Sequence, residues 1–453
     1  MGAKGTISYA ELDSRVSAAA SRLVELGLGA GSQVALYLPK GERYLVLLLA
    51  LVRAGCVTCP LSTRLPPGGV APLLRRAACS ALISDNEKAL EAAGDLRKLG
   101  PGALLEAPEM PTGRPEPPDI PLDRASTIMF TSGSTGAPKA ALHTFGNHYY
   151  SAVGSNTNIA LVPGDRWLHS LPLYHVGGLS ILFRCLLARA AVALPDPDQP
   201  LDDAIAGLGA THVSLVPTQL LRLLRGGAAA LERVKAVLLG GGAIPAYLVD
   251  EALARGLPIH TSYGLTEMAS QVTTTPPDAA PDELNTAGRV LPHRQVSVSG
   301  EGEILVRGET LFDGYFQDEE VYRPLDAGGW FHTGDLGELD EDGYLHVRGR
   351  LDNMFVSGGE NVQPEEIEEA LCRLAGVEEA VVVPVEDEEF GVRPIAFVRM
   401  AEGAPDPEAL SRALGVSLER FKIPVDFHAW PDEAGGMKVD RIAFGERARL
   451  LRR

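Results

Sequence analysis

Apolar and polar residues alternate along the first sixty positions in a way that predicts helices and strands in turn. From Tyr9 to Leu26, apolar side chains recur at three- and four-residue steps, the spacing of an amphipathic helix. Val34 to Leu38 is a continuous apolar run, which is typical of a buried strand. A second helix runs through Ala54, and a short strand at Cys56 to Cys59 follows. This order predicts a parallel sheet covered by helices.

Two later stretches depart from this pattern. Between Pro101 and Pro121, seven prolines and no periodicity predict an irregular linker. Farther along, the segments GEILVRG and GYLHVRGRLDN alternate apolar and polar residues, which indicates antiparallel strands. The chain is therefore not a uniform succession of strands and helices.

The last hundred residues form a pattern of their own. Pro364 opens a helix with carboxylates in its first turn, and strands are predicted at Val381 to Val385 and at Ile395 to Val398. We predict an α/β protein with a large domain of helix-covered sheets over residues 1–351. A small α+β domain, joined by a hinge, is predicted over residues 352–453.

Composition and charge restrict the classes of partner. The 453 residues suffice for more than one domain, and a net charge of -18 argues against nucleic acid or an anionic membrane surface. The longest apolar run, Tyr44 to Val52, is about half of the ~20 residues that span a bilayer. No secretory signal is visible, so a cytoplasmic location is expected.

The five cysteines do not predict a disulfide framework, because their number is odd. Cys56 and Cys59 form a CxxC pair, but no second pair or ordered histidines accompany it to complete a zinc site. We interpret Cys56 and Cys59 as thiols of the core or of a strand.

The segment TSGSTGAPK, from Thr131 to Lys139, is the first candidate for chemistry. Two glycines and four hydroxyl residues can direct backbone and side-chain donors at one anion, and Lys139 adds a positive charge. The segment differs from the GxxxxGK[ST] loop, because no Ser or Thr follows its lysine. Taken alone, a phosphate-binding loop and a flexible Ser/Gly turn explain it equally well.

Further motifs follow this loop in a fixed order. They are YGLTE (Tyr263–Glu267), TGD (Thr333–Asp335), GRLDN (Gly349–Asn353), SGGEN (Ser357–Asn361) and the lysine of GGMKVDR, Lys438. Each is a weak signal by itself. Together with the loop, they resemble the adenylate-forming superfamily, which includes acyl-CoA ligases, luciferases and the adenylation domains of peptide synthetases. The resemblance covers essentially the whole chain.

The resemblance implies a site for ATP and Mg²⁺. Tyr263 would stack on adenine, Asp335 would accept the ribose hydroxyls, Arg350 would contact the ribose or phosphate region, Thr266 would bind the α-phosphate and Glu267 would bind Mg²⁺. The remaining nucleotide contacts would be Thr131, Ser132, Gly133, Ser134, Thr135, Gly136 and Lys139 at the phosphates, with Gly241, Gly242, Ala243 and Gly264 beside the nucleotide.

The resemblance also assigns the small domain a part in the reaction. Lys438 would neutralise charge that develops on the phosphoryl group, and Asp352 would be the hinge about which the small domain rotates between two half-reactions. Gly358 and Gly359 would then face the pantetheine arm of coenzyme A. Asn353 stands where many members of the family have an acidic residue.

Within the superfamily, the blocks LPLYHVGGLSILFR and SLVPTQLLRLL are similar to the branch that joins 2-succinylbenzoate to coenzyme A in menaquinone biosynthesis. That acid carries two carboxylates, and a buried one needs a partner. The resemblance places Arg184 and Ser214 at the second carboxylate, while His175 would line or gate the pocket and Ser262 would contact substrate. An arginine in an apolar run also often extends to the surface, and a lone histidine is often structural.

Alternatives remain open at this point. Another aryl or fatty acyl-CoA ligase has the same chemistry, and an adenylation enzyme would pass its acid to a carrier protein. A nucleotide-binding regulatory module would not need Lys438. The sequence does not decide whether the chain forms a homo-oligomer.

Overall fold

The computed structural model describes residues 5–105, 119–131, 138–357, 360–387, 390–431 and 440–451. Residues 132–137 of the predicted phosphate loop, the pair Gly358 and Gly359, and Lys438 therefore lie outside the described residues.

The described residues contain strands throughout their length. In chain order these are β1 (Gln33–Tyr37), β2 (Val57–Pro60), β3 (Ala81–Ser84), β4 (Arg97–Leu99), β5 (Ala125–Thr131), β6 (Lys139–Thr144), β7 (Arg166–Leu168), β8 (Ala191–Ala193), β9 (His212–Leu215), β10 (Ala236–Leu239), β11 (Ile259–Leu265), β12 (Ser270–Thr274), β13 (Arg289–Val290), β14 (Arg294–Val298), β15 (Glu303–Gly308), β16 (Gly314–Gln317), β17 (Glu320–Tyr322), β18 (Phe331–Leu339), β19 (Leu345–Arg350), β20 (Phe355–Ser357), β21 (Glu360–Val362), β22 (Val377–Asp387), β23 (Gly391–Met400) and β24 (Phe427–Ala429).

Helices connect many of these strands. They are α1 (Tyr9–Glu25), α2 (Glu42–Ala54), α3 (Val70–Arg76), α4 (Glu87–Ala92), α5 (Pro101–Leu105), α6 (Phe145–Asn158), α7 (Val176–Ala188), α8 (Leu201–Gly207), α9 (Pro217–Arg225), α10 (Ala246–Ala254), α11 (Pro364–Cys372), α12 (Pro407–Leu414) and α13 (Arg441–Leu451).

The first helices begin and end where their sequences provide caps. The Ser8 hydroxyl accepts a hydrogen bond from the Glu11 amide at the start of α1. At the end of α2, Gly55 adopts a left-handed conformation with φ of 85°. A Cβ atom on Gly55 would approach the Ala30 backbone within 3.2 Å, so a close contact and the backbone conformation both favour glycine.

Two large sheets form the body of the protein. The eight strands of one have the order β17-β16-β6-β5-β2-β1-β3-β4, and the seven of the other have the order β13-β12-β11-β10-β9-β7-β8. Strands β1 to β4 pair in parallel, as do β7 to β11, which confirms the alternation predicted for this α/β protein. Strands β5 and β6 are antiparallel, and so are β11 and β12.

The rest of the described chain forms smaller sheets. Strands β14, β15, β18 and β19 make an antiparallel sheet, as the alternation of apolar and polar residues predicted. Strands β22, β23 and β24 make a second sheet, which packs with α11 and α13. The prediction of an irregular linker was wrong at its start, because residues 101–105 form α5 and pack Leu104 against the core of α1 and α2.

The large core lies where α2 and α7 pack with the first sheet, and α2 contributes the buried apolar run predicted from the sequence. All five cysteines are free, and Cys56 and Cys59 are buried, in agreement with their interpretation as core or strand thiols. No helix in the described ranges has the length and apolar character needed to cross a membrane.

Candidate active site

A hydrogen-bonded cluster lies where β11, β18 and β19 meet. The Tyr263 hydroxyl donates to Oδ2 of Asp335 over 2.6 Å, and Arg350 Nη1 donates to Oδ1 over 3.0 Å. Strand pairing sets Asp335 opposite Arg350, so the register of β18 with β19 brings this acid and base together. Three residues predicted to contact the nucleotide thus come from three separate segments and meet around one carboxylate.

Burial controls the electrostatics of this cluster. Asp335 is 8% exposed, and burial raises the pKa of its carboxyl although Tyr263 and Arg350 act in the opposite direction. Burial also raises the pKa of Tyr263, and the nearby Asp335 carboxylate adds to the shift. The hydrogen bond to Asp352 raises the pKa of Arg350. The cluster therefore keeps a neutral phenol and a permanent cation beside Asp335.

A second chain of contacts links Lys139 to Glu267 through Tyr315. The Tyr315 hydroxyl donates to Glu267 Oε1 over 2.6 Å, and Lys139 Nζ lies 5.0 Å from the Tyr315 ring centroid. Tyr315 reaches this position because β16 pairs with β6 beside Ala141. Sequence reasoning missed Tyr315, whose only signal is an aromatic hydroxyl in the short strand GYFQ.

The donor set at Glu267 fits a magnesium ion held jointly with phosphates. Glu267 is a half-buried carboxylate with no Lys or Arg at salt-bridge distance among the described residues. Mg²⁺ prefers oxygen ligands and commonly takes one or two carboxylates together with substrate phosphates. Glu267 is one such carboxylate, and Tyr315 connects it to Lys139, the lysine predicted to bind phosphate.

Strand pairing also fixes the two ends of the predicted phosphate loop. Thr131, the last residue of β5, lies opposite Lys139, the first residue of β6. Ser132, Gly133, Ser134, Thr135 and Gly136 lie outside the described residues. The anchoring residues on both sides are thus neighbours in the sheet.

The YGLTE segment is held closely against β12. A Cβ atom on Gly264 would lie 2.2 Å from the Ser270 carbonyl oxygen, so only glycine fits there. The Thr266 carbonyl accepts a hydrogen bond from His143 Nε2 over 2.7 Å. Burial lowers the pKa of His143 to about 4, so this histidine is neutral and acts as a fixed donor.

The glycine-rich segment after β10 is exposed. Gly241, Gly242 and Ala243 follow Gly240 at the carboxyl end of this strand, and Gly241 has a φ of 81°. The Ser262 hydroxyl donates to the Leu239 carbonyl over 3.0 Å, which ties β11 to the end of β10. Ser262 therefore donates its hydroxyl hydrogen within the protein, and its contact with substrate stays a prediction.

Arg184 is one of the largest completely buried side chains. It lies on α7, is 1% exposed, and donates from Nη2 to the Ser270 hydroxyl over 3.3 Å. Among the described residues, its Nε and Nη1 atoms have no hydrogen-bond partner, and no carboxylate lies at salt-bridge distance. Burial lowers the pKa of Arg184 to about 9, which leaves the guanidinium charged at neutral pH.

Ser214 and Arg184 share one neighbour, Trp167. The indole Nε1 donates to the Ser214 hydroxyl over 3.1 Å, and the Arg184 Cζ lies 5.1 Å from the Trp167 ring. The structure thus brings the two residues predicted to bind the second carboxylate to the same side chain. Sequence reasoning missed Trp167 and Ser270, which join this group through tertiary contacts.

His175 lies apart from Arg184 at the other end of α7. It is exposed, precedes the first residue of the helix, and has its ring centroid 4.8 Å from that of Tyr174. Arg184 follows His175 by nine positions, which correspond to about 13 Å along a helix. His175 can therefore line a different part of an acid pocket from Arg184.

Asp352 lies in a short 3-10 helix, Leu351–Asn353, directly after β19. Its carboxylate accepts hydrogen bonds from Arg350 Nε over 2.8 Å and from Nη2 over 3.3 Å. Burial acts to raise the pKa of Asp352, but Arg350 and, more weakly, Lys139 lower it overall. The predicted hinge is therefore connected to the cluster around Asp335.

The residue after the predicted hinge contacts the small C-terminal region. Asn353 Nδ2 donates to Glu365 Oε1 over 2.6 Å, and Arg441 contacts the same carboxylate over 3.2 Å. Gly349 lies under this group, because a Cβ atom there would meet the side chains of Gln363 and Glu365.

Comparisons with known proteins identify the family to which the sequence is similar. The family model described as "AMP-binding enzyme" matches residues 2–316, and the model "AMP-binding enzyme C-terminal domain" matches residues 366–433. A curated 2-succinylbenzoate–CoA ligase from Geobacillus kaustophilus is 35% identical, over 99% of this chain and 92% of its own length.

Two solved structures from Bacillus subtilis also resemble the chain. An o-succinylbenzoate CoA synthetase in complex with its acyl-adenylate intermediate is 30% identical, with a TM-score of 0.86 over 95% of this chain and 90% of its own. The same enzyme in complex with ATP and a magnesium ion is 30% identical, with a TM-score of 0.84 over 95% and 92%. Both similarities extend over nearly the whole length of each protein.

Proposed function

Because the chain belongs to the family of AMP-binding enzymes, we propose that it joins 2-succinylbenzoate to coenzyme A at the expense of ATP. The products are 2-succinylbenzoyl-CoA, AMP and pyrophosphate, and the reaction serves menaquinone biosynthesis. Full-length similarity to 2-succinylbenzoate–CoA ligases supports this assignment within the family.

The observation that carries the choice of acid is the environment of Arg184. A buried cation without a protein carboxylate is costly, and an anionic substrate group that binds there offsets the cost. The guanidinium plane suits a carboxylate, which can accept two parallel hydrogen bonds. 2-Succinylbenzoate brings this second carboxylate, whereas a monocarboxylic acid does not.

In the first half-reaction, an oxygen of the succinyl carboxylate attacks the α-phosphorus of ATP. A bond forms between them, the bond to the β-phosphate breaks, and pyrophosphate leaves. We assign Asp335 to the ribose hydroxyls, Tyr263 to stacking on adenine, and Thr266 to the α-phosphate. Lys139 contributes positive charge at the β- and γ-phosphates, and Thr131 and residues 132–136 of the same loop also contact these phosphates. Arg350 holds Asp335 in place.

We assign Gly241, Gly242, Ala243 and Gly264 to the border of the nucleotide, where missing or small side chains allow close approach. Glu267 is the protein ligand for Mg²⁺, and Tyr315 orients it through a hydrogen bond. When bound, the ion neutralises charge on the phosphates. These roles rest on the family resemblance and on the contacts described above.

In the second half-reaction, the sulfur of coenzyme A attacks the acyl carbon and AMP leaves. We propose that a small domain over residues 352–453 rotates about Asp352 between the two steps. Gly358 and Gly359 then border the pantetheine arm of coenzyme A. We assign His175 to the lining of the acid pocket and Ser262 to a position beside the substrate. We also propose a cytoplasmic location, which agrees with five free thiols; a homo-oligomer stays a prediction.

A panel of acids tests the proposed function. Purified protein is assayed for acid-dependent exchange of pyrophosphate into ATP and for thioester formation with coenzyme A. We expect the highest kcat/KM with 2-succinylbenzoate, and lower values with benzoate, fatty acids and 4-oxo-4-phenylbutyrate, which lacks the ring carboxylate. A preference for a monocarboxylic acid would reject the substrate, and adenylation without thioester formation would favour transfer to a carrier protein.

Replacement of Lys438 distinguishes an enzyme from a regulatory module that only binds nucleotide. Because the lysine would stabilise the charge of the transition state, Lys438→Ala should slow pyrophosphate exchange about 10²–10³-fold. ATP binding and thioester formation from preformed adenylate should change much less. Unchanged exchange would remove Lys438 from the mechanism.

A further inference from the structure

Trp167 contacts both residues assigned to the second carboxylate, and it does so through different parts of its ring. It belongs to β7, is completely buried, and lies beside β9, which carries Ser214. Its edge donates a hydrogen bond to Ser214, while its face lies under Arg184, which comes from α7. One rigid side chain thus connects a strand and a helix at the proposed acid pocket.

The hydrogen bond from Trp167 determines the direction of the Ser214 hydroxyl hydrogen. An indole N–H is only a donor, so Ser214 Oγ must be the acceptor in this 3.1 Å contact. The hydrogen of the hydroxyl must then point away from the indole. Within the described ranges no residue accepts it, so Ser214 offers a donor to a ligand.

The face of Trp167 acts on Arg184 in a complementary way. An aromatic face attracts a cation without accepting its N–H groups along the guanidinium edge. Arg184 therefore gains a neighbour, while its Nε and Nη1 stay without hydrogen-bond partners in the part of the chain that the structure describes. The indole therefore contacts Ser214 and Arg184 without accepting a hydrogen bond from either residue. The Ser214 hydroxyl and the N–H groups at Nε and Nη1 of Arg184 remain available as donors.

We propose that Trp167 is a positioning residue that sets the preference for a dicarboxylic aromatic acid, because it orients the donors of Ser214 and Arg184 toward the second carboxylate. A carboxylate is an acceptor only, and it matches a group of donors without acceptors. This inference rests on the proposed function, since it concerns how the same pocket selects its acid.

The test compares two acids that differ in one group. The kcat/KM for 2-succinylbenzoate is divided by that for 4-oxo-4-phenylbutyrate, which has the same succinyl arm. Trp167→Phe keeps an aromatic face but removes the N–H, so we expect this ratio to fall about tenfold, mainly through the KM for 2-succinylbenzoate. An unchanged ratio, or equal losses for both acids, would overturn the assignment.

Three further variants sharpen this test. Trp330→Phe is the matched control, because Trp330 also lies under an arginine, with the Arg307 Cζ 4.1 Å from its ring, outside the proposed pocket; its ratio should be unchanged. Ser214→Ala should lower the ratio as Trp167→Phe does. The double variant should lose little more than Ser214→Ala alone, since both changes remove the same oriented donor. Additive losses would contradict the inference.

A spectroscopic measurement avoids dependence on the folding of Trp167→Phe. The chain has three tryptophans, so Trp330→Phe combined with Trp430→Phe leaves Trp167 as the only one. Its fluorescence should change on binding 2-succinylbenzoate and change less with 4-oxo-4-phenylbutyrate. Equal responses would overturn the inference. A wild-type protein that does not use 2-succinylbenzoate would instead reject the proposed function, and the inference with it.

Discussion

The two groups of polar side chains at the candidate site bury charge in opposite ways. Around Asp335, a carboxylate, a phenol and a guanidinium are joined by hydrogen bonds, and the guanidinium extends to Asp352 near the surface. Around Arg184, a cation with almost no exposed surface meets a hydroxyl and an indole face, and no carboxylate of the described chain compensates it.

The difference indicates which kind of ligand suits each group. The Asp335 carboxylate is already hydrogen-bonded to a phenol and paired with a cation, so a ligand there exchanges one set of hydrogen bonds for another. Arg184 has donors and charge that the described protein does not use, so a ligand there must bring an anion. The first group suits the neutral hydroxyls of a sugar, and the second suits a carboxylate.

The largest effect is expected from the uncompensated cation. Arg184→Met should lower kcat/KM for 2-succinylbenzoate about 100-fold, because a buried charge pair with the substrate is lost. The kcat/KM for 4-oxo-4-phenylbutyrate should change much less. Steady-state kinetics with both acids measures this, and equal losses would show that Arg184 acts only on the fold.

A second arginine provides a matched control for stability. Arg294 is also buried, but its donors reach the carbonyl oxygens of Gln271, Pro292 and Ser151. Arg294→Met should lower the free energy of unfolding by about 2–3 kcal/mol, because buried carbonyls lose their partners. Arg184→Met should leave it unchanged or raise it, since a costly charge is removed. Urea denaturation of both variants measures these changes. Equal destabilisation by the two substitutions would contradict the view that only Arg184 lacks partners among the described residues.

The pH dependence of ATP binding probes the other group. Burial raises the pKa of Asp335 in the folded protein, so the carboxylate gains its proton at a higher pH than an ordinary aspartate, whose value is about 3.9. As the pH falls through the raised pKa, KM for ATP should rise, approaching about tenfold per pH unit. Asp335→Asn should bind ATP weakly, and its KM for ATP should not depend on pH in this range. If the KM of the wild type is equally independent of pH, Asp335 does not bind the ribose as a carboxylate.

The same shift has a defined sign for stability. The folded protein holds the Asp335 proton more tightly than the unfolded chain does, so this group contributes most below the unfolded pKa. Its contribution is lost as the pH rises from the unfolded to the folded pKa. Unfolding of the wild type and of Asp335→Asn across this interval measures the difference.

The smallest effect is expected at the exposed end of the charged cluster. Asp352 and Arg350 are each more than one-third exposed, and exposed pairs contribute little because water and salt screen them. Asp352→Asn should change the free energy of unfolding by less than about 1 kcal/mol. Its effect, if Asp352 is the hinge, should appear in the ratio of the two half-reaction rates, measured by single-turnover kinetics.

The sequence predicted those parts of the fold that depend on local periodicity. The helix over α1, the buried run of α2 and the strands beside them follow from apolar spacing. Residues 101–105 were predicted wrongly because proline at the first position of a helix is compatible with it, so proline content alone does not exclude one.

The residues of the candidate site could be predicted only where they belong to short motifs that follow one another in a fixed order. Tyr263, Asp335 and Arg350 were named from short motifs, and the structure brings them into contact. Tyr315 and Trp167 were missed, because their importance arises from β16 pairing with β6 and β7 pairing with β9. Such contacts depend on sheet order, which no local pattern encodes.

The guanidinium of Arg350 is shared between a carboxylate at the sugar position and one at the proposed pivot. Because both contacts use this guanidinium, any effect of nucleotide binding on the contact with Asp352 must equal the effect of that contact on nucleotide affinity. If the proposed small domain turns about Asp352, nucleotide affinity and the orientation of that domain are therefore coupled.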